Sequence, residues 1–448
     1  LACPRPDDFP CRALTRAILA TPCAMSDDLF APLRRGWETL LERLFFLPPF
    51  PENIDSLALF SLLLVVGLLI GEWLHARVGW PRVIGYVLAG TIFGPSLLGW
   101  ISIEALAQAR PIADAALGLL MLEVGRRLDI GWLRHNPELL RSTLMDISLT
   151  FTLIFSFALL LIGQSPAWAA ATAAVTMASA PAVVLLTIEE SKAQGVVTER
   201  IVLHTAIASA ASFVVFTLVL GVIHAEQSED WLNALVHPLW VAVGALLIAW
   251  AVARLALLIA RLLPKRSLAQ VFILVASALL AVGLARMLAV PVFLTLFLMG
   301  VLLAQIDERQ TLRYTALPEG HWLLAIILFV IVGASLPWQE FTWLTGLQAI
   351  GLLLVRAAAK AAALAAAGGS LPLSKRLLVA TGIQPLSATA VFMAYEIAGL
   401  YPEVGRSALA LSLFAAALME LAGPALCRIA LRKSGETAGS ETGKGGIG

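Results

Sequence analysis

Apolar runs of about twenty residues, separated by short polar turns, recur along most of the chain, and each is long enough to cross the hydrocarbon of a bilayer. Read as helices they predict thirteen spans, at 56–74, 83–101, 112–127, 140–163, 167–189, 200–225, 234–262, 268–288, 290–306, 321–337, 343–367, 376–400 and 404–430. The second and ninth are short and rich in Gly and Pro, as partly re-entrant segments are. The fifth span breaks its own pattern at Ser179-Ala180-Pro181, because a proline in mid-helix removes a backbone donor and collides with the carbonyl four residues back. The twelfth breaks at Thr381–Ser387, which contains Gly382 and Pro385. With the seventh span as connector, each half holds six spans and the broken one is the fifth of its six. The halves start on opposite faces, so the repeat is inverted. Interrupted helices at matching positions of two inverted halves mark the substrate site of a secondary transporter. For either proline taken alone, a harmless kink is the alternative.

Composition supports a membrane reading: 59% of the 448 residues are hydrophobic and 14% charged, well short of the quarter usual in soluble domains. The net charge of +1 says nothing about partners, and no nucleic-acid partner is expected. Sixteen Lys and Arg residues fall on six alternate loops, from Arg77 to Arg376, against Arg110, Arg286 and Arg406 on the opposite loops. That bias makes the first face cytoplasmic, with the N-terminus outside and the C-terminus inside. Arg34, Arg35 and Arg43 run against it but are interspersed with acids. Residues 1–55 read as an extension and pre-helix, of which 1–24 precede a plausible start at Met25. Residues 431–448 read as a disordered cytoplasmic tail, rich in Gly, Ser and Thr. Cys3, Cys11, Cys23 and Cys427 suggest neither a disulfide framework nor a thiolate metal site. No zinc helix, phosphate-cradling loop or intramembrane nucleophile–base pair is present, so a membrane enzyme is not expected. Nor is a haem or other cofactor, since most of the six histidines lie in loops or at helix ends.

At 1.5 Å rise per residue, Ser179, Ser209, Gln384 and Ser387 fall near the bilayer centre. Arg356 falls there too, thirteen residues into its span, with Lys360 one turn on along the same face. A cation at that depth costs a few kcal/mol and is functional by default. The plainer readings are an ion pair inside the bundle for Arg356 and snorkelling to the interface for Lys360. Asp146 is a candidate partner for either. Glu123, next to Arg126 and Arg127, fits an interfacial salt bridge, and Glu72 and Glu420 read as interfacial. His204 is either a satisfied structural residue or a group that titrates near neutral pH.

Pro81-Arg82-Val83-Ile84-Gly85-Tyr86-Val87-Leu88-Ala89-Gly90, followed by Phe93-Gly94-Pro95, resembles the second helix of the monovalent cation:proton antiporters, the sodium/hydrogen exchanger family. Leu119–Asp129, with Gly125-Arg126-Arg127-Leu128-Asp129, resembles the third helix of that group, and Phe329–Leu336 a later segment. The resemblance covers about 56–430 and is nearest to the proton antiporter-2-like branch. It implies an all-α polytopic fold with a dimerisation domain and a core domain, the latter holding two crossed discontinuous helices. It also implies a homodimer in the inner (plasma) membrane that exchanges Na⁺ or K⁺ for protons by an elevator motion. Ser179-Ala180-Pro181 then stands where relatives carry a Thr-Asp-Pro or Ser-type motif. Ala208 and Ser209 stand where they carry Asn-Asp or Asp-Asp, and Arg356 or Lys360 matches the basic residue of the later core helix. The ion-binding aspartate is therefore missing, and a serine hydroxyl can offer a ligand oxygen but cannot titrate. On this reading Ser209, Ser179 and main-chain carbonyls at the breaks hold the monovalent cation. Ala208, Pro181, Gln384 and Ser387 line its site, and Glu123, Asp146 or His204 carries the proton. The alternatives are an antiport-deficient channel, uniporter or sensor, and an anion transporter built on Arg356 and the positive half-helix ends.

Overall fold

The computed structural model describes residues 56–128, 131, 136–228, 231–263, 267–307, 312, 320–386, 388–400 and 402–437, and the described residues from Phe60 onward form one compact unit. Among the described residues every regular element is helical. In chain order they are α1 (Ser56–Val78), α2 (Arg82–Phe93), α3 (Ile103–Arg127), α4 (Pro137–Phe157, prolonged by one π-helical turn, Ala158–Ile162) and α5 (Pro166–Met177). Then follow α6 (Pro181–Ser191), α7 (Val196–Ser228), α8 (Trp231–Leu262), α9 (Ser267–Met287) and α10 (Val292–Ile306). The last five are α11 (Gly320–Ser335), α12 (Trp343–Ala366), α13 (Leu373–Gly382), α14 (Ala388–Leu400) and α15 (Pro402–Ser434). Each apolar run expected to span contains helix, and nine of the described helices are long and apolar enough to cross a membrane, counting α5 and α6 together. The protein is a multi-pass membrane protein.

Several boundaries move for local reasons. α3 begins at Ile103, nine residues before the expected start, capped by Ser102, which accepts the Ala105 amide at 3.1 Å, and Pro111 is accommodated within the helix. The second expected span, 83–101, is helical only to Phe93, and the chain then turns back through Gly94–Leu98. α15 passes Pro424 and continues to Ser434, and beyond it Glu436 is docked. Its carboxylate accepts the amides of Val197 (2.9 Å) and Thr198 (2.8 Å), and its carbonyl accepts the Gln194 amide at 2.9 Å. A disordered tail from 431 is therefore corrected as far as Thr437. The bare amides at the start of α7 hold an acidic side chain, as a helix N-terminus does. Residues 1–55 and 438–448 lie outside the described residues.

The helices pack in two sets. In one, α3 lies along α10 and α11, α2 along α11, and α8 along α9 and α10. Glycines permit this closeness: a Cβ on Gly125 would meet Gly300 Cα at 3.1 Å, and Gly333 and Gly90 leave room for the backbone of α2 and α11. In the other set α12 packs on α4, α13 and α15, while α7 and α15 flank the pair α5–α6. The apolar stretch of α5–α6 is buried along its whole length, against 22% of that in α1. The first broken helix is thus the axis of its set, and the outer helices turn residues such as Leu69, Trp73, Leu247 and Trp250 to the lipid.

Candidate functional site

Pro181 does not kink a helix. It starts one, occupying the first position of α6, where a missing amide costs nothing. The chain between α5 and α6 runs extended through Ala178–Ala180. The second break, 383–387, meets the first: the Ala180 amide donates to Pro385 O at 2.9 Å, and Ser179 Oγ donates to Ile383 O at 2.9 Å. Two helices are therefore interrupted where they cross. α13 persists through Gly382, two residues further than its Thr-Gly sequence suggests. Ser387 lies outside the described residues.

At this crossing α5 and α13 end with carbonyl groups that no helical amide can reach. Arg356, fully buried, supplies the donors. Its Nε donates to Thr176 O at 2.8 Å and Nη2 to Ala178 O at 2.7 Å. Its Nη1 donates to Gln384 O at 2.6 Å and to Gln384 Oε1 at 2.8 Å. Gln384 Nε2 donates in turn to Ala380 O at 3.1 Å. A tethered cation thus faces the negative ends of both half-helices. The expected ion pair for Arg356 is corrected: its hydrogen bonds go to carbonyls and an amide, because that is what two helix ends present. An anion site on Arg356 loses its donors for the same reason.

A second cluster lies one helical turn further along α12. Lys360 does not snorkel. Its Nζ donates to Asp146 Oδ2 at 3.0 Å, and both side chains are essentially inaccessible, at 1% and 0%. Thr150 Oγ1 donates to the other carboxylate oxygen at 3.0 Å. His204, buried on α7, lies between two hydroxyls of α4, with Nε2 at 3.1 Å from Ser142 Oγ and Nδ1 at 3.1 Å from Thr143 Oγ1. Nearer the helix ends Arg200 Nη1 donates to Glu138 Oε1 at 2.8 Å, and the Ser370 amide to Glu138 Oε2 at 3.0 Å. Glu138, Ser142, Asp146 and Thr150 recur every four residues, so they form one polar row on α4.

The remaining candidates separate. Ser212 Oγ donates to Ala174 O at 2.6 Å, which sets Ser209, one turn away on α7, at about the level of the first break. Ser209 is 3% exposed, and its hydroxyl has no hydrogen-bond partner among the described residues. Ala208 is buried beside it. Glu123 is elsewhere: it pairs with Arg126 and, at 3.5 Å, with Arg127, which also reaches Glu189 at 3.2 Å. Glu72 holds Arg82 at 2.6 Å and is half exposed, as an interfacial residue is. Glu420 is not interfacial. It is fully buried in the middle of α15, one turn before Gly423, whose Cβ would meet Pro385 Cα at 2.8 Å.

Comparison with known proteins places the chain. Residues 61–428 match the family described as "Sodium/hydrogen exchanger, transmembrane". The chain belongs to the sodium/hydrogen exchanger family. Its fold matches that of the sodium proton antiporter MjNhaP1 from Methanocaldococcus jannaschii at pH 8, with a TM-score of 0.62 at 17% identity. That alignment covers 84% of this chain and 95% of the other. A structure of the same antiporter from an electron-microscopy map matches with the same TM-score, 18% identity and coverages of 85% and 95%. No curated protein matches in sequence.

Within this family fold, the chain has buried charge at the crossing but no carboxylate at position 209. The row on α4 was missed beyond Asp146, although its signal is visible as polar residues at four-residue spacing in an otherwise apolar run. The carbonyls of Thr176 and Ala178 carry no sequence signal, since any residue type provides them.

Proposed function

We propose that the chain exchanges a monovalent cation, Na⁺ or K⁺, for protons across the inner (plasma) membrane, with no cofactor and no chemical conversion of substrate. The observation that carries this is the buried Asp146–Lys360 pair one turn from the crossed helix breaks. A carboxylate closed off from water is stable there only while a positive charge accompanies it. Lys360 supplies that charge when no cation is bound. When Na⁺ or K⁺ enters, it takes over the carboxylate, and the ammonium loses the attraction that kept its proton. One cation bound then means one proton released, and the cycle reverses on the other side. Ser209 and Ser179 offer neutral ligand oxygens, which fits a role in which the titrating groups sit on α4 and α12 and not at position 209.

The N-terminus lies outside and the C-terminus inside. The set containing α4–α7 and α12–α15 moves against the other in an elevator motion within a homodimer. These features rest on the charge bias of the loops and on the family resemblance. The test is proton release from everted vesicles or proteoliposomes on pulses of Na⁺, K⁺ and Li⁺. Wild-type protein is expected to respond to at least one cation and D146N to none. Silence of the wild type toward all three refutes the proposal.

A further inference from the structure

We propose that the two carboxylates ending α6, Glu189 and Glu190, form a latch that holds the set of α4–α7 and α12–α15 against the other set at the cytoplasmic end and releases in every transport cycle. This rests on the exchange reading above and adds the contacts that its motion breaks. The last turn of α6 is where the argument starts. A helix C-terminus carries partial negative charge and favours cations, yet α6 places two adjacent acids there. They oppose their own helix, so a reason for them lies outside it.

Their partners come from three helices of the other set. α1 belongs to that set, since a Cβ on Gly67 would meet Val330 of α11 at 3.1 Å and Ala89 of α2 at 3.6 Å. From α1, His75 Nδ1 lies 2.5 Å from Glu190 Oε1 and 3.2 Å from Trp80 O, and a nitrogen between two acceptors carries a proton. From the start of α2, the Arg82 amide donates to Glu190 Oε2 at 3.3 Å, and Arg82 Nη1 lies 3.6 Å from Oε1. From the end of α3, Arg127 Nη2 donates to Glu189 Oε1 at 3.2 Å. A further tie runs the other way, from Arg428 on α15 to the carbonyl of Gly79 in the turn between α1 and α2.

Three helix ends of one set thus close on one helix end of the other. α6 starts at the first break, so Glu190, nine residues on, stands about 14 Å from the crossing, between it and the cytoplasmic face. Exposure suits contacts that part and re-form. The Glu190 side chain is 1% exposed, whereas those of His75, Arg82 and Arg127 are 27%, 26% and 40% exposed. Ion pairs with one partner in water are individually weak, so breaking them once per cycle is a small barrier. The Asp146–Lys360 pair, closed off from water on both sides, joins α4 to α12 within one set and travels with it unbroken.

The experiment uses the full chain in everted vesicles, with its four cysteines replaced by alanine. Leu186, fully buried one turn before Glu190, is the reporter as L186C. E189Q/E190Q is expected to speed its labelling by a membrane-impermeant maleimide from the cytoplasmic face about fivefold or more, because the population open to that side rises. Unchanged labelling overturns the latch. In a second arm, H75C/E190C joined by a short bifunctional thiosulfonate is expected to slow cation-driven proton release about tenfold or more, with recovery on reduction. Release at the unlinked rate with the cross-link formed overturns the proposal, since the contacts would then be static. If the wild type releases no protons with any cation, the exchange reading fails, and the maleimide labelling alone then decides whether the two carboxylates hold this end closed.

Discussion

Removing one charge of the Asp146–Lys360 pair separates a working ion pair from two polar groups that happen to be neighbours. In D146N the Lys360 ammonium is left with an amide at the depth where it had a carboxylate at 3.0 Å, and in K360M the carboxylate keeps only Thr150. Both side chains are at or below 1% exposure, so water cannot substitute for the lost partner. Breaking a buried pair from one side costs about 3–5 kcal/mol, whereas replacing both partners by groups of similar volume is close to neutral. At roughly 2 °C per kcal/mol for a large chain, each single variant is expected to melt about 6–10 °C below wild type. The double variant, D146N/K360M, is expected to recover most of that loss. Thermal unfolding of the full chain in detergent, followed by tryptophan fluorescence, reads all four proteins. Losses that simply add in the double variant would refute the pairing, because independent sites add and partners do not. Proton-coupled transport is expected to be absent from all three variants, including the one whose stability recovers. That combination separates coupling from folding.

Arg356→Lys keeps the charge but cannot fan out to Thr176, Ala178 and Gln384 together, and Arg356→Met leaves all three carbonyls without a donor. Stability is expected to fall in that order, by about 3 kcal/mol or more for Met, and a Met variant as stable as wild type would show that the crossing holds without it. Ser209→Asp places a carboxylate at the level of the first break. It is expected to lower the half-saturating Na⁺ concentration for transport, and an unchanged value would put Ser209 outside the ion path. Glu436→Ala removes the acceptor for the Val197 and Thr198 amides. It is expected to cost about 1 kcal/mol and to speed hydrogen exchange at those two amides, with unchanged exchange refuting the cap.

Sequence by itself determined where the helices run and where two of them break. Apolar length is set by bilayer thickness, and proline acts on its own local backbone, so both are legible without any knowledge of neighbours. Arg356 and Lys360 stood out for the same reason, since a cation in an apolar run is costly wherever the run packs. Their partners were decided by tertiary structure alone: Asp146 is 214 positions from Lys360, and Thr176 is 180 from Arg356. Two cations one turn apart on α12 face different chemistry because one meets the ends of two broken helices and the other the polar row of α4. Glu420 was misplaced because its depth depends on where α15 begins and ends, and Glu436 because a tail's composition does not show which bare amides lie within its reach. Position 209 is the sharpest case. Its sequence shows the loss of an expected acid, and only the packing of α4 against α7 and α12 shows that buried titratable groups stand beside the crossing from another helix.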